Sequence, residues 1–206
     1  MNRILFALLL LCFTATAQAQ MFSFGLKGGV NTQLKNPKDI LVNNLDSTFN
    51  FGVEDAKFGT QFGGYLRIGG KVFLQPELLF NSNRTDYIVK KGGTPKIFKE
   101  KYQNLDIPVL VGFTAGPIRL HGGPVGHYFL NSNSELTDLK DYDEKFKNMT
   151  WGWLAGLTIG TGRVSADLRY EGNFNKQGDH LNFGGQQYNF ANTPARFLLN
   201  INFKII

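Results

Sequence analysis

One cysteine occurs in the 206 residues, Cys12, and it stands inside an apolar run close to the N-terminus. If that run is removed, the remaining chain has no disulfide, no thiolate ligand for a metal and no cysteine nucleophile. Long apolar runs are scarce too. After residue 20 none approaches the ~20 residues a membrane helix requires. Histidine appears three times. His121 and His127 are six positions apart, so on one strand their rings would be separated by roughly 20 Å and could not share a metal without ligands from another strand. His180 falls in a connection. No H-E-x-x-H, G-x-S-x-G, Walker or dinucleotide fingerprint stands in a fitting context. These gaps remove helical membrane proteins and the common hydrolase and nucleotide-binding classes, and no cofactor is expected.

The N-terminus has an address. Arg3 supplies a positive start, Ile4 to Phe13 an apolar core of about ten residues, and Ala17-Gln18-Ala19 a cleavage site of the A-x-A kind. Residues 1–19 therefore read as a cleaved signal peptide and 20–206 as one mature domain. A permanent anchor would be interrupted by Thr14, Thr16 and Gln18. Leu10 and Leu11 precede Cys12 where a lipidation site wants small residues. The net charge of +6 falls by one with Arg3, and export removes nucleic acid as a partner.

What the chain has in quantity is glycine, 24, and phenylalanine, 19, spread by alternation rather than in blocks. Period-two alternation marks strands, and eight candidates follow. Met21 to Val30 sets Phe22, Phe24, Leu26 and Val30 against Ser23, Gly25, Lys27 and Gly29. Phe58 to Ile68 and Val72 to Asn83 come next, then Leu105 to Phe113, whose start near Tyr102 suggests a bulge. The fifth holds Ile118, Leu120, Tyr128 and Leu130, the sixth runs over Met149 to Ile159, and the seventh sets Val164, Ala166, Leu168, Tyr170 and Phe174 against Ser165, Asp167, Arg169 and Glu171. The eighth, Ala195 to Ile206, is apolar at nearly every odd position, with Arg196, Asn200, Asn202 and Lys204 at even ones.

Connections alternate in length. Gly69-Gly70, Thr114 to Pro117 and Gly160 to Gly162 are short; residues 31–57, 84–98, 131–148 and 175–193 are long. Three short turns and four long loops fit an all-β, eight-stranded antiparallel up-and-down transmembrane barrel in the outer membrane, with both termini in the periplasm. A soluble barrel would hide its grease inside, but an eight-stranded lumen is too narrow for Trp151, Trp153, Phe197 and Phe203 on one face. Outer-membrane lipid is thus the first partner, and other envelope proteins are further candidates.

On the opposite, lumen-facing set stand Lys27, Arg67, Glu77, Asp106, Arg119, Asp167, Arg169, Glu171, Arg196 and Lys204. Their mixed signs allow pairing across the lumen as a polar plug, or the lining of a narrow conducting path. An unpaired buried carboxylate is too costly to keep, so Glu77 requires a cation from across the lumen, with Arg119, Arg169 and Arg196 as candidates. Lys90, Lys91, Lys96, Lys99 and Lys101 gather around the second long loop, either as a solvated loop or as a contact for phosphates of a surface glycolipid.

Five segments in order also carry a resemblance: Gly25-Leu26-Lys27-Gly28-Gly29-Val30-Asn31, Gln75-Pro76-Glu77-Leu78-Leu79, Leu105-Asp106-Ile107-Pro108-Val109-Leu110, Gly123-Pro124-Val125-Gly126 and Ala166-Asp167-Leu168-Arg169-Tyr170. Together they resemble the PorT-type outer-membrane β-barrel proteins of the Bacteroidetes, over essentially the whole mature chain. The resemblance implies an outer-membrane barrel and, through the member that gave the family its name, a link to type IX protein secretion, while most relatives have no assigned activity. The reading is a non-enzymatic barrel with a structural or interaction role through its external loops. A secretion component and a lipid-modifying barrel enzyme are the alternatives.

Overall fold

Alternating side chains can bury one face of a strand and expose the other, and where the exposed face is the greasy one the sheet must close on itself or meet lipid. Both happen here. The computed structural model describes residues 22–33, 40–44, 47–56, 58–91, 94–135, 142–144, 148–174, 181–183, 186–188 and 195–206, with side chains for 22–32, 58–89, 95–135, 148–174 and 195–206. The proposed signal peptide, Cys12 and His180 lie outside the described residues.

Among the described residues the strands are β1 (Phe22–Gln33), β2 (Ile40–Asn44), β3 (Ser47–Ala56), β4 (Gly59–Gly69), β5 (Val72–Lys91), β6 (Thr94–Ala115), β7 (Ile118–Ser134), β8 (Tyr142–Glu144), β9 (Met149–Ile159), β10 (Val164–Asn173), β11 (Leu181–Phe183), β12 (Gln186–Tyr188) and β13 (Ala195–Lys204). Eight of them close a ring in the order β1-β4-β5-β6-β7-β9-β10-β13, every neighbour antiparallel, with β13 returning to β1. The β2-β3 pair extends the ring beside β5, and β8, β11 and β12 form a separate small sheet.

At one end the connections are tight because glycine takes backbone conformations that other residues resist. Gly116 and Gly162 hold φ of 60° and 70° in the β6-β7 and β9-β10 turns. The start of β1 and the C-terminal residues meet at this rim: Phe24 N donates to Ile206 O at 3.1 Å, and Ile205 N to Phe24 O at 2.8 Å.

The outward face is the apolar one. Phe62, Leu78, Val111, Leu120, Trp151, Leu168, Leu199 and Phe203 are all exposed, whereas inward Gln75, Asn81, Asp167 and Asn200 are buried. Leu199 is 53 % exposed and its neighbour Asn200 1 %. Aromatic rings of adjacent strands touch on that outer face, with Trp153 and Tyr170 centroids 5.4 Å apart and Tyr170 and Phe197 5.6 Å apart. Such a girdle suits the membrane interface, where an aromatic ring is half solvated.

Two expectations are corrected. Residues 84–98 are not a loop: β5 continues to Lys91 and β6 starts at Thr94, so the two strands rise past the membrane as a paired hairpin. The physical reason is an inversion of pattern. Beyond Asn83 the inward side carries Thr85, Tyr87, Val89 and Phe98, all buried, while Arg84, Lys99 and Lys101 point outward. Outside lipid, a sheet turns its polar side to water. Secondly, the irregularity near Tyr102 lies in the β6-β7 pairing between Gln103 and Asn104, but the extra residue is on β7, since Gln103 faces Asn131 and Asn104 faces Phe129, leaving Leu130 unpaired. The lumen is chiefly polar, and Phe73, Leu79, Leu110, Val125, Leu154 and Leu198 are packed inward among its charged and amide side chains, nearly or fully buried.

Candidate functional site

Strand parity sends the charged residues inward, and the ring then decides who meets whom. β5 and β10 are diametrically opposite in an eight-membered ring, four places apart either way, and so are β6 and β13. Each pair supports a charge cluster that spans the lumen.

The first cluster joins Glu77 on β5, Lys27 on β1, and Asp167 and Arg169 on β10. Arg169 makes a forked pair with Glu77, Nη1 to Oε2 at 2.7 Å and Nη2 to Oε1 at 2.6 Å. Its Nε lies 2.7 Å from Asp167 Oδ2. Lys27 Nζ bridges the two acids at 2.8 Å to Glu77 and 2.9 Å to Asp167. Gln75 Nε2 donates to Glu77 Oε1 at 2.5 Å. His121 Nε2 lies 3.1 Å from Asp167 Oδ1, and Thr158 Oγ1 donates to the same oxygen at 3.2 Å. Two cations and two carboxylates, each side chain no more than 1 % exposed, make a neutral set whose charges are all hydrogen-bonded, the condition under which ionic burial is tolerated.

A glycine makes room for it. A Cβ on Gly156 would sit 2.5 Å from His121 Cε1 and 2.8 Å from Arg169 Cγ, so β9 gives up a side chain where the cluster is widest.

The second cluster stands nearer the long-connection end. Arg196 on β13 donates from Nε to Glu171 Oε1 at 2.7 Å and from Nη2 across the lumen to Asp106 Oδ2 at 2.8 Å. His127 Nδ1 donates to Asp106 Oδ1 at 2.7 Å. Asn81 Nδ2 donates to Asp106 Oδ2 at 2.7 Å, and Asn81 Oδ1 accepts from Asn31 Nδ2 at 3.2 Å. Gln61 hydrogen-bonds Asn200 beside these groups.

The structure thus brings Lys27, Glu77, Asp167 and Arg169 into one set and Asp106, Glu171 and Arg196 into another. It leaves Arg67 and Arg119 apart from both. Arg67 faces Gln75 rather than Glu77, donating from Nε at 2.7 Å, and its guanidinium stacks on Tyr65 and Phe73. Arg119 reaches the Gly160 carbonyl at 3.5 Å. Lys204 is half-buried at the short-turn rim. Charge does not single out Gln75, Asn81 or Thr158, which complete the clusters. Their parity on the strands is the signal that finds them. Of the loop lysines, Lys90 and Lys91 end β5 with side chains outside the described residues, Lys96 stacks on Phe98 at 4.9 Å, and Lys99 and Lys101 are exposed on the opposite, outward side of β6.

A closed antiparallel ring that is apolar outside and filled by ion pairs inside is an integral outer-membrane barrel. The chain belongs to the outer membrane protein beta-barrel domain family, whose model matches residues 16–177. The crystal structure of the outer membrane protein OprG from Pseudomonas aeruginosa is similar with a TM-score of 0.54 at 12 % identity, over 90 % of this chain and 96 % of that one. At such identity the likeness concerns the fold alone. No curated protein matches the chain.

Proposed function

We propose that this protein is a non-enzymatic barrel, delivered by a cleaved signal peptide, whose work is structural or interactive and is done by the parts standing outside the membrane. The observation that carries this reading is the pair of diametrical charge clusters. They occupy the lumen at two levels together with Leu79, Val125, Leu154 and Leu198, which favours a plug over a conducting path. His121 and His127 are each tied to a buried carboxylate, an arrangement that suits structural pairing better than the rim-facing Ser/His/acid group a lipid-modifying barrel would need. Above the plug, the β5-β6 hairpin and the β2-β3 pair offer sheet surface for other envelope proteins. Reconstituted into planar bilayers, the barrel is expected to give no steady conductance. Regular single-channel steps would refute the plug.

A second reading, a component or accessory of type IX secretion, draws on the five segments that resemble PorT-type proteins. Deleting the gene and measuring surface and secreted protein tests it: unchanged export would sink it, while lost export with the barrel itself still folded in a point variant would favour it.

A further inference from the structure

Going outward along β6, the lipid-facing row is Phe113, Val111, Val109, Ile107 and Leu105, then Gln103, then Lys101 and Lys99. The row does not change sides; it changes chemistry. On the neighbouring strand Phe80 pairs with Leu105, Ser82 with Gln103 and Arg84 with Lys101, and on the other side Lys101 faces Asn133 of β7. Arg84, Lys101 and Asn133 therefore make a cross-strand row on the outer wall, with Lys99 one step above. Two residues advance about 6.6 Å along a strand, and with the usual barrel tilt Arg84 and Lys101 stand roughly 10 Å above the Phe80–Leu105 pair. That is headgroup height, within reach of long side chains that extend downward along the wall.

Three features make this row more than a solvated surface. Arg84 is held in place by a forked pair with Asp86, Nε to Oδ1 at 2.8 Å and Nη2 to Oδ2 at 3.2 Å. The row carries three cations against two carboxylates, Asp86, which stands across from Lys99, and Glu135, which accepts from the Lys99 backbone N–H at 2.9 Å, and both lysines are exposed. The patch is also continuous with the apolar wall below, so a molecule with acyl chains on that wall would place its charged head on these cations.

We infer that the outer wall formed by Arg84, Lys99 and Lys101 is a binding site for the phosphate of an outer-leaflet glycolipid, whose acyl chains lie on the apolar wall of β5 and β6. This rests on the outer-membrane reading above, and it replaces a lysine-rich loop with a defined face: Lys96 is excluded, because it stands on the other side of the strand. Each cation near a phosphate surface contributes a modest, additive attraction. Lys99→Gln with Lys101→Gln should therefore weaken binding about tenfold or more.

The test uses the full barrel in detergent, with phosphorylated lipid A as probe and native mass spectrometry as readout. The parent should retain phosphorylated lipid A and hold the dephosphorylated form far less. K99Q/K101Q should lose that preference, while Lys71→Gln, at the opposite rim, should keep it. Equal binding of both lipid forms by the parent, or undiminished binding by K99Q/K101Q, would overturn the site. Displacement by millimolar inorganic phosphate would reassign it to a soluble anion and overturn the lipid occupant. The heat-dependent gel shift of the same samples reports the barrel separately, so loss of the site and loss of the fold are distinguishable.

Discussion

Glu77→Ala is the sharpest probe of the interior. The carboxylate receives Arg169 through two hydrogen bonds, Lys27 through a third and Gln75 through a fourth, and its side chain is fully buried. Its removal leaves Lys27 and Arg169 sharing Asp167 alone, so a neutral set becomes a buried positive charge. Breaking one partner out of a buried pair costs about 3–5 kcal/mol, because the charge left behind has no solvent. With a urea slope near 2 kcal/mol per molar, the unfolding midpoint in lipid vesicles should fall by about 2 M. The control is a cycle. Glu77→Leu combined with Arg169→Met should recover part of the loss, with a coupling of about 1–3 kcal/mol, since replacing both charges removes the uncompensated one. Folded fraction is read on an unboiled gel at each urea concentration. If Glu77→Ala unfolds at the parent's midpoint and the cycle shows no coupling to Arg169, the clusters are hydrated and the plug is wrong.

Unboiled and boiled protein should migrate differently on a denaturing gel, because a closed sheet leaves no lipid-exposed backbone group to open from; a soluble monomer indifferent to detergent would contradict this. Leu199→Arg, outward and central on β13, should cost about 2–4 kcal/mol in a bilayer folding assay, whereas Thr161→Arg in the β9-β10 turn should cost little, and equal losses would argue against the lipid-facing assignment. Gly156→Val should destabilise by about 1–3 kcal/mol or more through overpacking against His121 and Arg169, with the loss reduced in His121→Ala; a stable Gly156→Val barrel would mean the interior is looser than described.

Within the membrane the sequence is easy to read, because lipid and lumen demand opposite chemistry from adjacent residues. Leu199 and Asn200 show it, and so do the short turns at Gly69, Gly116 and Gly162. Pairing partners are harder. Arg169 and Glu77 are 92 residues apart, and which strand lies opposite which follows from ring closure, not from local pattern. Lys27 enters the Glu77 cluster beside Arg169 for the same reason: β1 stands midway between β5 and β10 around the ring, with β4 on one side and β13 on the other. Outside the membrane the rule that reveals strands fails. Tyr87 and Val89 point inward and Arg84 outward, so a search for outward grease ends β5 eight residues early. The bulge at Leu130 is invisible to alternation on β6, whose parity never breaks, and is found only by following the register with β7.

Arg196 belongs to the last strand of the chain. Until β13 docks between β10 and β1, Asp106 and Glu171 face each other's side of the lumen with no arginine between them, and His127 lies between the two acids, Nδ1 2.7 Å from Asp106 and Nε2 3.6 Å from Glu171. The seam that closes the cylinder is therefore also the step that gives these two acids their arginine. A nascent barrel missing its C-terminal strand carries Asp106 and Glu171 at membrane depth without their arginine, so an unfinished ring enters lipid at a greater cost than the closed one.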